Sequence, residues 1–166
     1  MILKMTTNTS VIYKQKRVGK NRKHFYIYKF RTMTADTPIL IGSERISIRN
    51  KVTKFGRFLR DTSLDELPQL FNVVKGEMSL IGPRPVVDAD RELLILRRES
   101  GVIRIKPGMT GLAQVNGRKN LSDKNKAEFD EKYARNISFF LDISILFKTL
   151  PIIIVRGGVQ KLLKKY

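Results

Sequence analysis

The sequence predicts an α/β fold of the α+β type, a compact single domain with a short β-hairpin, mixed strands and several amphipathic helices. Three observations carry that expectation. Aromatic and β-branched runs flank a turn near the N-terminus, and apolar residues recur at helical spacing further on. The 166 residues, 42% of them hydrophobic, are also enough to enclose one core.

Val11 to Met33 reads as the hairpin. Val11-Ile12-Tyr13 and Phe25-Tyr26-Ile27-Tyr28 are β-prone, and Gly19-Lys20-Asn21-Arg22-Lys23 between them is rich in turn residues. Alternation puts Phe25, Ile27, Lys29 and Arg31 on one face. Two cations continuing an apolar face need partners if buried, so that face is expected either to end in a polar pocket or to run out to solvent. Thr34 to Lys51 is polar and irregular and reads as a loop. Lys54 to Arg60 has helical spacing through Phe55, Phe58 and Leu59, and a second helix is expected from about Asp65 to Val74, ending at Lys75-Gly76. Met78-Ser79-Leu80-Ile81 reads as a short buried strand and Asp88 to Glu99 as a charged amphipathic helix. Val102 to Ile105 is β-prone. Pro107 to Gly111 opens a loop into Leu112-Ala113-Gln114-Val115, a short strand between two loops, and Asn116-Gly117 is a turn signal. Lys124 to Arg135 reads as a polar helix and Ile137 to Val155 as a long apolar one. Asp142, Lys148 and Pro151 interrupt the latter, and a central charge costs roughly 2.5–3.5 kcal/mol on insertion scales, which argues against a membrane span. A core helix and a helix lying in the membrane interface both remain open.

Lys and Arg number 33 against 15 Asp and Glu, a formal net charge of +18, which implies an anionic partner: nucleic acid, an acidic lipid surface or phosphorylated small molecules. With no cysteine, thiolate sites are excluded, and His24 as the single histidine argues against histidine triads and histidine-rich metal sites. Acid–base or nucleophilic work therefore falls on carboxylates, lysines or hydroxyls.

Against that background Asp65-Glu66 stands out: two adjacent acids beside Arg60, opening an apolar segment. Ser63 with Glu66 matches a capping box, which Pro68 opposes; moving the N-cap to Asp65 accommodates the proline. Either registration places both carboxylates at a helix N-terminus, where the dipole favours their charged forms. An ionised aspartate among cations suits attack on phosphorus, and a neighbouring glutamate suits a divalent ion. Capping alone is the ordinary role of acids at such positions. Gly82-Pro83-Arg84-Pro85 holds one arginine on a stiff backbone, suited to bidentate phosphate binding. Gly108, Gly111 and Gly117 leave room for an anion at the backbone, in a pattern that is neither a P-loop nor a dinucleotide fingerprint.

Read in order, Gln15 to Gly19, Tyr28 to Met33, Asp65 to Leu70, Lys75 to Pro85 and Pro107 to Arg118 resemble the bacterial sugar transferases, specifically the monotopic phosphoglycosyl transferases that act on polyprenyl phosphate. The resemblance covers roughly residues 11–158, the expected catalytic domain, with 1–10 left as a remnant of an anchor region and 159–166 as a basic tail. It implies that Asp65 attacks the β-phosphate of a UDP-sugar and releases UMP. The sugar-phosphate then passes to a polyprenyl phosphate acceptor at the cytoplasmic face of the bacterial membrane. It further implies that Asp65 and Glu66 hold Mg²⁺, that Lys29, Arg31, Arg60 and Arg84 neutralise phosphates, and that Asn116, Gly117 and Arg118 contact the nucleotide. An anionic lipid surface is an expected partner and nucleic acid is not, because no nucleic-acid motif is present and the acids beside Arg60 repel a phosphate backbone. The chain departs from the family in two places. The hydrophobic re-entrant helix that normally precedes the position of Val11 is expected to be missing, and Leu112 stands where many relatives carry tryptophan. A basic nucleic-acid-binding protein and an inactive membrane-surface scaffold are the alternatives.

Overall fold

The computed structural model describes residues 3, 9–34, 51–117 and 120–154. Strands β1 (Ile12–Val18) and β2 (His24–Phe30) form the expected hairpin, and strands β3 (Ser79–Ile81) and β4 (Gly108–Thr110) form a second, parallel pair. The helices are α1 (Lys54–Asp61), α2 (Gln69–Val74), α3 (Arg91–Glu99), α4 (Leu112–Val115), α5 (Asp123–Arg135) and α6 (Phe139–Ile154). The α/β class read from the sequence is the class observed. The chain divides into two compact units: one holds the described residues within Met1–Lys14, Tyr28–Gln69 and Ile153–Tyr166, the other those within Gln15–Ile27 and Leu70–Ile152.

In the first unit, Met33 bridges Val52 in antiparallel fashion, and Thr53 N–H donates to the Thr32 carbonyl at 3.1 Å. Thr53 then caps α1, its hydroxyl accepting from Gly56 N–H at 2.9 Å. Gly56 is required because a Cβ there would lie 2.1 Å from the Thr32 carbonyl oxygen. The polar stretch read as a loop falls at 35–50, outside the described residues; its two ends are joined by the Thr34 N–H to Lys51 carbonyl bond of 3.1 Å.

The second unit is organised around β3 and β4, paired at Ser79–Gly108 and Ile81–Thr110. Ile81, Leu112, Tyr133 and Ile145 form one buried cluster; Phe25, Ile27 and Met78 form another. Leu112, where a tryptophan was noted as the common alternative, is therefore a core residue. Helix α6 faces this unit with Ile145, fully buried, and with two polar side chains: Asp142 accepts from Tyr133 Oη at 2.9 Å, and Thr149 meets the Thr110 hydroxyl at 2.8 Å. Among the described residues no helix is long and apolar enough to cross a membrane.

Several expectations need correction. Val102–Arg104 is a 3₁₀ turn rather than a strand, entered through Gly101 at φ 77°. The strand forms instead at Gly108–Thr110, read from sequence as a loop. Side chains disfavour this choice, but close approach favours it, because a Cβ at Gly108 would lie 2.1 Å from Gly82 N. Leu112–Val115 is a helical turn and not a strand. The helix expected over 65–74 is split, as described below.

Gly56→Ala is expected to destabilise the protein by about 1–3 kcal/mol through overpacking against the Thr32 backbone, as read by urea unfolding.

Candidate active site

Burial along β2 alternates as the pattern required, with Phe25 and Ile27 buried and Tyr26 exposed. Beyond them the same face turns polar: Lys29 Nζ donates to Glu66 Oε1 at 2.8 Å, with both side chains over four-fifths enclosed. The polar pocket at the end of the apolar face therefore exists, and Glu66 is the partner it required. Arg31 donates from Nε to the Ser10 carbonyl at 2.8 Å and lies 5.7 Å from the Tyr13 ring centre, so this part of its side chain is committed to the start of β1.

Asp65 and Glu66 do not open a continuous helix. They lie in a 3₁₀ turn, Leu64–Glu66, separated by Pro68 from α2 at Gln69. Ser63 precedes that turn in a left-handed conformation, φ 58°, with no side-chain cap bond. The capping box fails because the groups it would pair are bonded otherwise, Glu66 N–H donating to the Ser63 carbonyl at 3.1 Å. Ser63 N–H donates to the Arg60 carbonyl at 3.2 Å, and Glu66 is held by Lys29. The carboxylates thus stand about one turn ahead of a six-residue helix, outside the range of a useful dipole. Side-chain cations replace the dipole as the source of stabilisation.

Arg60 supplies the second cation. Its Nε donates to Thr32 Oγ1 at 2.7 Å, and Thr32 is itself buried. Arg60 is exposed as a residue, with its Nε bonded in a part-buried position. Burial pushes the guanidinium below its ordinary value and the Asp65 carboxylate pulls it back up. The guanidinium stays charged under this pressure. The first unit therefore brings together Lys29, Arg60, Asp65 and Glu66. Thr32, which orients Arg60, was not read from the sequence. The one local signal was Gly56, a glycine inside a helix that marks close backbone approach.

The other residues singled out by sequence belong to the second unit. Arg84 is half-buried, and its carbonyl accepts from Arg97 Nη1 at 2.9 Å. Asn116 is exposed and donates to the Leu112 carbonyl at 2.8 Å, closing the end of α4. Gly117 has φ 148°, and a Cβ there would meet Leu121 at 2.9 Å. Arg118 lies outside the described residues.

The family Bacterial sugar transferase matches residues 1–156. The chain belongs to this family. A bacterial sugar transferase of Bacillus subtilis, the uncharacterized sugar transferase EpsL, is 42% identical over 166 residues, 96% of this chain and 78% of the relative. The UDP-galactose-lipid carrier transferase of Erwinia amylovora is 41% identical over 166 residues, 89% of this chain and 34% of the relative. The undecaprenyl-phosphate galactose phosphotransferase of Salmonella typhimurium is 42% identical over 162 residues, covering the same two shares. The chain thus spans about a third of the length of these last two sugar transferases.

Thr32→Val is expected to lower stability by about 0.5–1.5 kcal/mol, because it removes the acceptor of Arg60 Nε. Thr32→Ser is expected to stay near wild type in the same denaturant titration.

Proposed function

We propose that this sugar transferase moves a sugar-1-phosphate from a UDP-sugar to polyprenyl phosphate through a covalent intermediate on Asp65. The observation that carries the reading is the placement of the half-buried Asp65-Glu66 pair between Lys29, 2.8 Å from Glu66, and Arg60, on which the Asp65 charge acts. The relatives named for a UDP-galactose-lipid carrier and for undecaprenyl phosphate support the donor and acceptor classes.

The chemistry balances with these residues alone as nucleophile and charge compensation. An Asp65 carboxylate oxygen attacks the β-phosphorus, and the bond from that phosphorus to the oxygen bridging to the α-phosphate breaks. UMP leaves with the electron pair, and the sugar-phosphate stays on the carboxylate. A phosphate oxygen of the polyprenyl acceptor then attacks the same phosphorus and releases the free carboxylate. No proton has to be moved by a histidine. The barrier is set by bringing one anion onto another, so fixed cations and in-line positioning do most of the work. Lys29 and Arg60 supply the positive charge at the nucleophile; Arg84, on its stiff loop, is assigned to a donor phosphate, as is Arg31. Asn116, Gly117 and Arg118 are assigned to the nucleotide.

Mg²⁺ fits the donor set, because it uses one or two carboxylates together with substrate phosphates and water. Asp65 and Glu66 would hold it, and when bound it neutralises charge on the diphosphate.

An anionic lipid surface is the proposed physical partner, as befits a lipid acceptor. The support is α6, whose outward side leaves Phe139 74%, Phe140 83% and Phe147 69% exposed. Aromatic side chains presented this way, on a chain of net charge +18, suit the headgroup boundary of an acidic bilayer.

Asp65→Asn is expected to reduce UMP release from UDP-sugars by about three orders of magnitude or more. It should also abolish transfer of label from a β-³²P donor to the protein; a labelled Asp65→Asn chain overturns the assignment. Removing divalent ions with EDTA is expected to stop turnover and Mg²⁺ to restore it. The double substitution Phe139→Ser with Phe140→Ser is expected to weaken binding to phosphatidylglycerol vesicles about tenfold or more in co-sedimentation.

A further inference from the structure

The loop carrying Arg84 is fastened from behind. Proline at 83 and 85 removes two donors and fixes two φ angles, so carbonyls take a larger share in holding the loop. Four successive carbonyls are taken: Pro83 by Gly108 N–H at 2.9 Å, Arg84 by Arg97 Nη1 at 2.9 Å, Pro85 by Arg17 Nη1 at 3.2 Å, and Val86 by Val18 N–H at 2.9 Å. The outer two are strand-like backbone bonds. The middle two, in the peptide groups that follow Arg84 and Pro85, come from arginine side chains.

Neither arginine reaches the loop by accident of a flexible chain. Arg97 is 6% exposed and is anchored by Asp130, itself 1% exposed, with Nε and Nη2 donating to one carboxylate oxygen at 2.9 and 2.6 Å. Its remaining Nη1 therefore points in a fixed direction, to the Arg84 carbonyl. Arg17 is held by Nη2 donating to Gln15 Oε1 at 2.7 Å, which leaves Nη1 aimed at Pro85. A planar guanidinium already held through another of its donors has little freedom left for the remaining one.

We propose that Arg17 and Arg97 are positioning residues, which lock the backbone of residues 84 and 85 so that the Arg84 guanidinium is pre-organised for a phosphate of the donor. The proposal rests on the reading of Arg84 as a phosphate contact. Ordering that is complete before the ligand arrives is not charged against binding, so loosening the clamp costs affinity without removing any ligand contact. Neither arginine is assigned a direct contact with the substrate; both act through Arg84.

The test uses Arg97→Lys, which keeps a cation beside Asp130 but loses the directed Nη1, and Arg17→Met, which keeps the stem at a half-exposed site. UDP binding by calorimetry and amide exchange at Arg84 and Val86 are measured in each, alone and in an Arg84→Ala background. The expected result is a roughly five- to tenfold weaker UDP affinity with faster exchange at the loop. In the Arg84→Ala background the same changes are expected to add nothing to the loss of affinity. Equal losses in both backgrounds, or unchanged loop exchange, would overturn the clamp while leaving Arg84 as a ligand residue. Full UDP affinity in Arg84→Ala itself would overturn the phosphate role of Arg84, and the pre-organisation argument with it.

Discussion

An arginine that is almost wholly enclosed sets the terms for the second unit. A buried guanidinium without partners is prohibitively costly, so Arg97 requires Asp130, and together they bind α3 to α5. The carboxyl group feels the same enclosure: burial pushes Asp130 above the usual carboxylate range, and the Arg97 charge works against that push. Such a pair contributes less to net stability than well-packed apolar side chains of equal volume would. What it provides is direction, because a guanidinium has donors left over once a carboxylate is satisfied, and one of them reaches a loop in which proline has removed two backbone donors.

The first unit solves a related problem at lower cost. Lys29 follows Phe25 and Ile27 along one strand face, and the 3₁₀ turn brings Glu66 to it. The turn is a consequence of three local facts: Ser63 adopts a left-handed conformation, its N–H returns to Arg60, and Pro68 precedes the next helix. A continuous helix from Asp65 would have spread the two acids around a cylinder and given them only a screened dipole. The tighter turn sets them against two named cations instead, one of them steered by a buried threonine hydroxyl.

Much of this was legible in the chain. The hairpin followed from β-branched and aromatic alternation around a glycine-containing turn, and α1, α3 and α5 followed from spacing. The polar end of β2 was legible because cations continuing an apolar face require partners. Asp65 and Glu66 were legible through scarcity, as adjacent acids in a very basic chain. The misreadings have a common cause in long-range contact. Val102 to Ile105 has the composition of a strand, yet the ladder formed at Gly108, where absence of a side chain allows the Gly82 backbone to approach. Thr32 and the Arg97–Asp130 pair gave no local sign, because a buried polar residue is recognisable only beside the partner that satisfies it, and Arg60 lies 28 positions from Thr32 and Asp130 33 from Arg97.

The parallel register of β3 and β4 carries a kinetic implication. Parallel neighbours cannot be joined by a tight turn, so the chain between Ile81 and Gly108 must travel out through α3 and return before a single rung can close. Closing so long a circuit is entropically slow, and here the rungs offer little apolar reward for it, one strand consisting of glycine, methionine and threonine. The hairpin and the helices can form from local contacts while the crossover is still open. The order in which this polypeptide matures on the ribosome is thereby constrained: the arginine-bearing loop gains its final shape only after synthesis has passed residue 110.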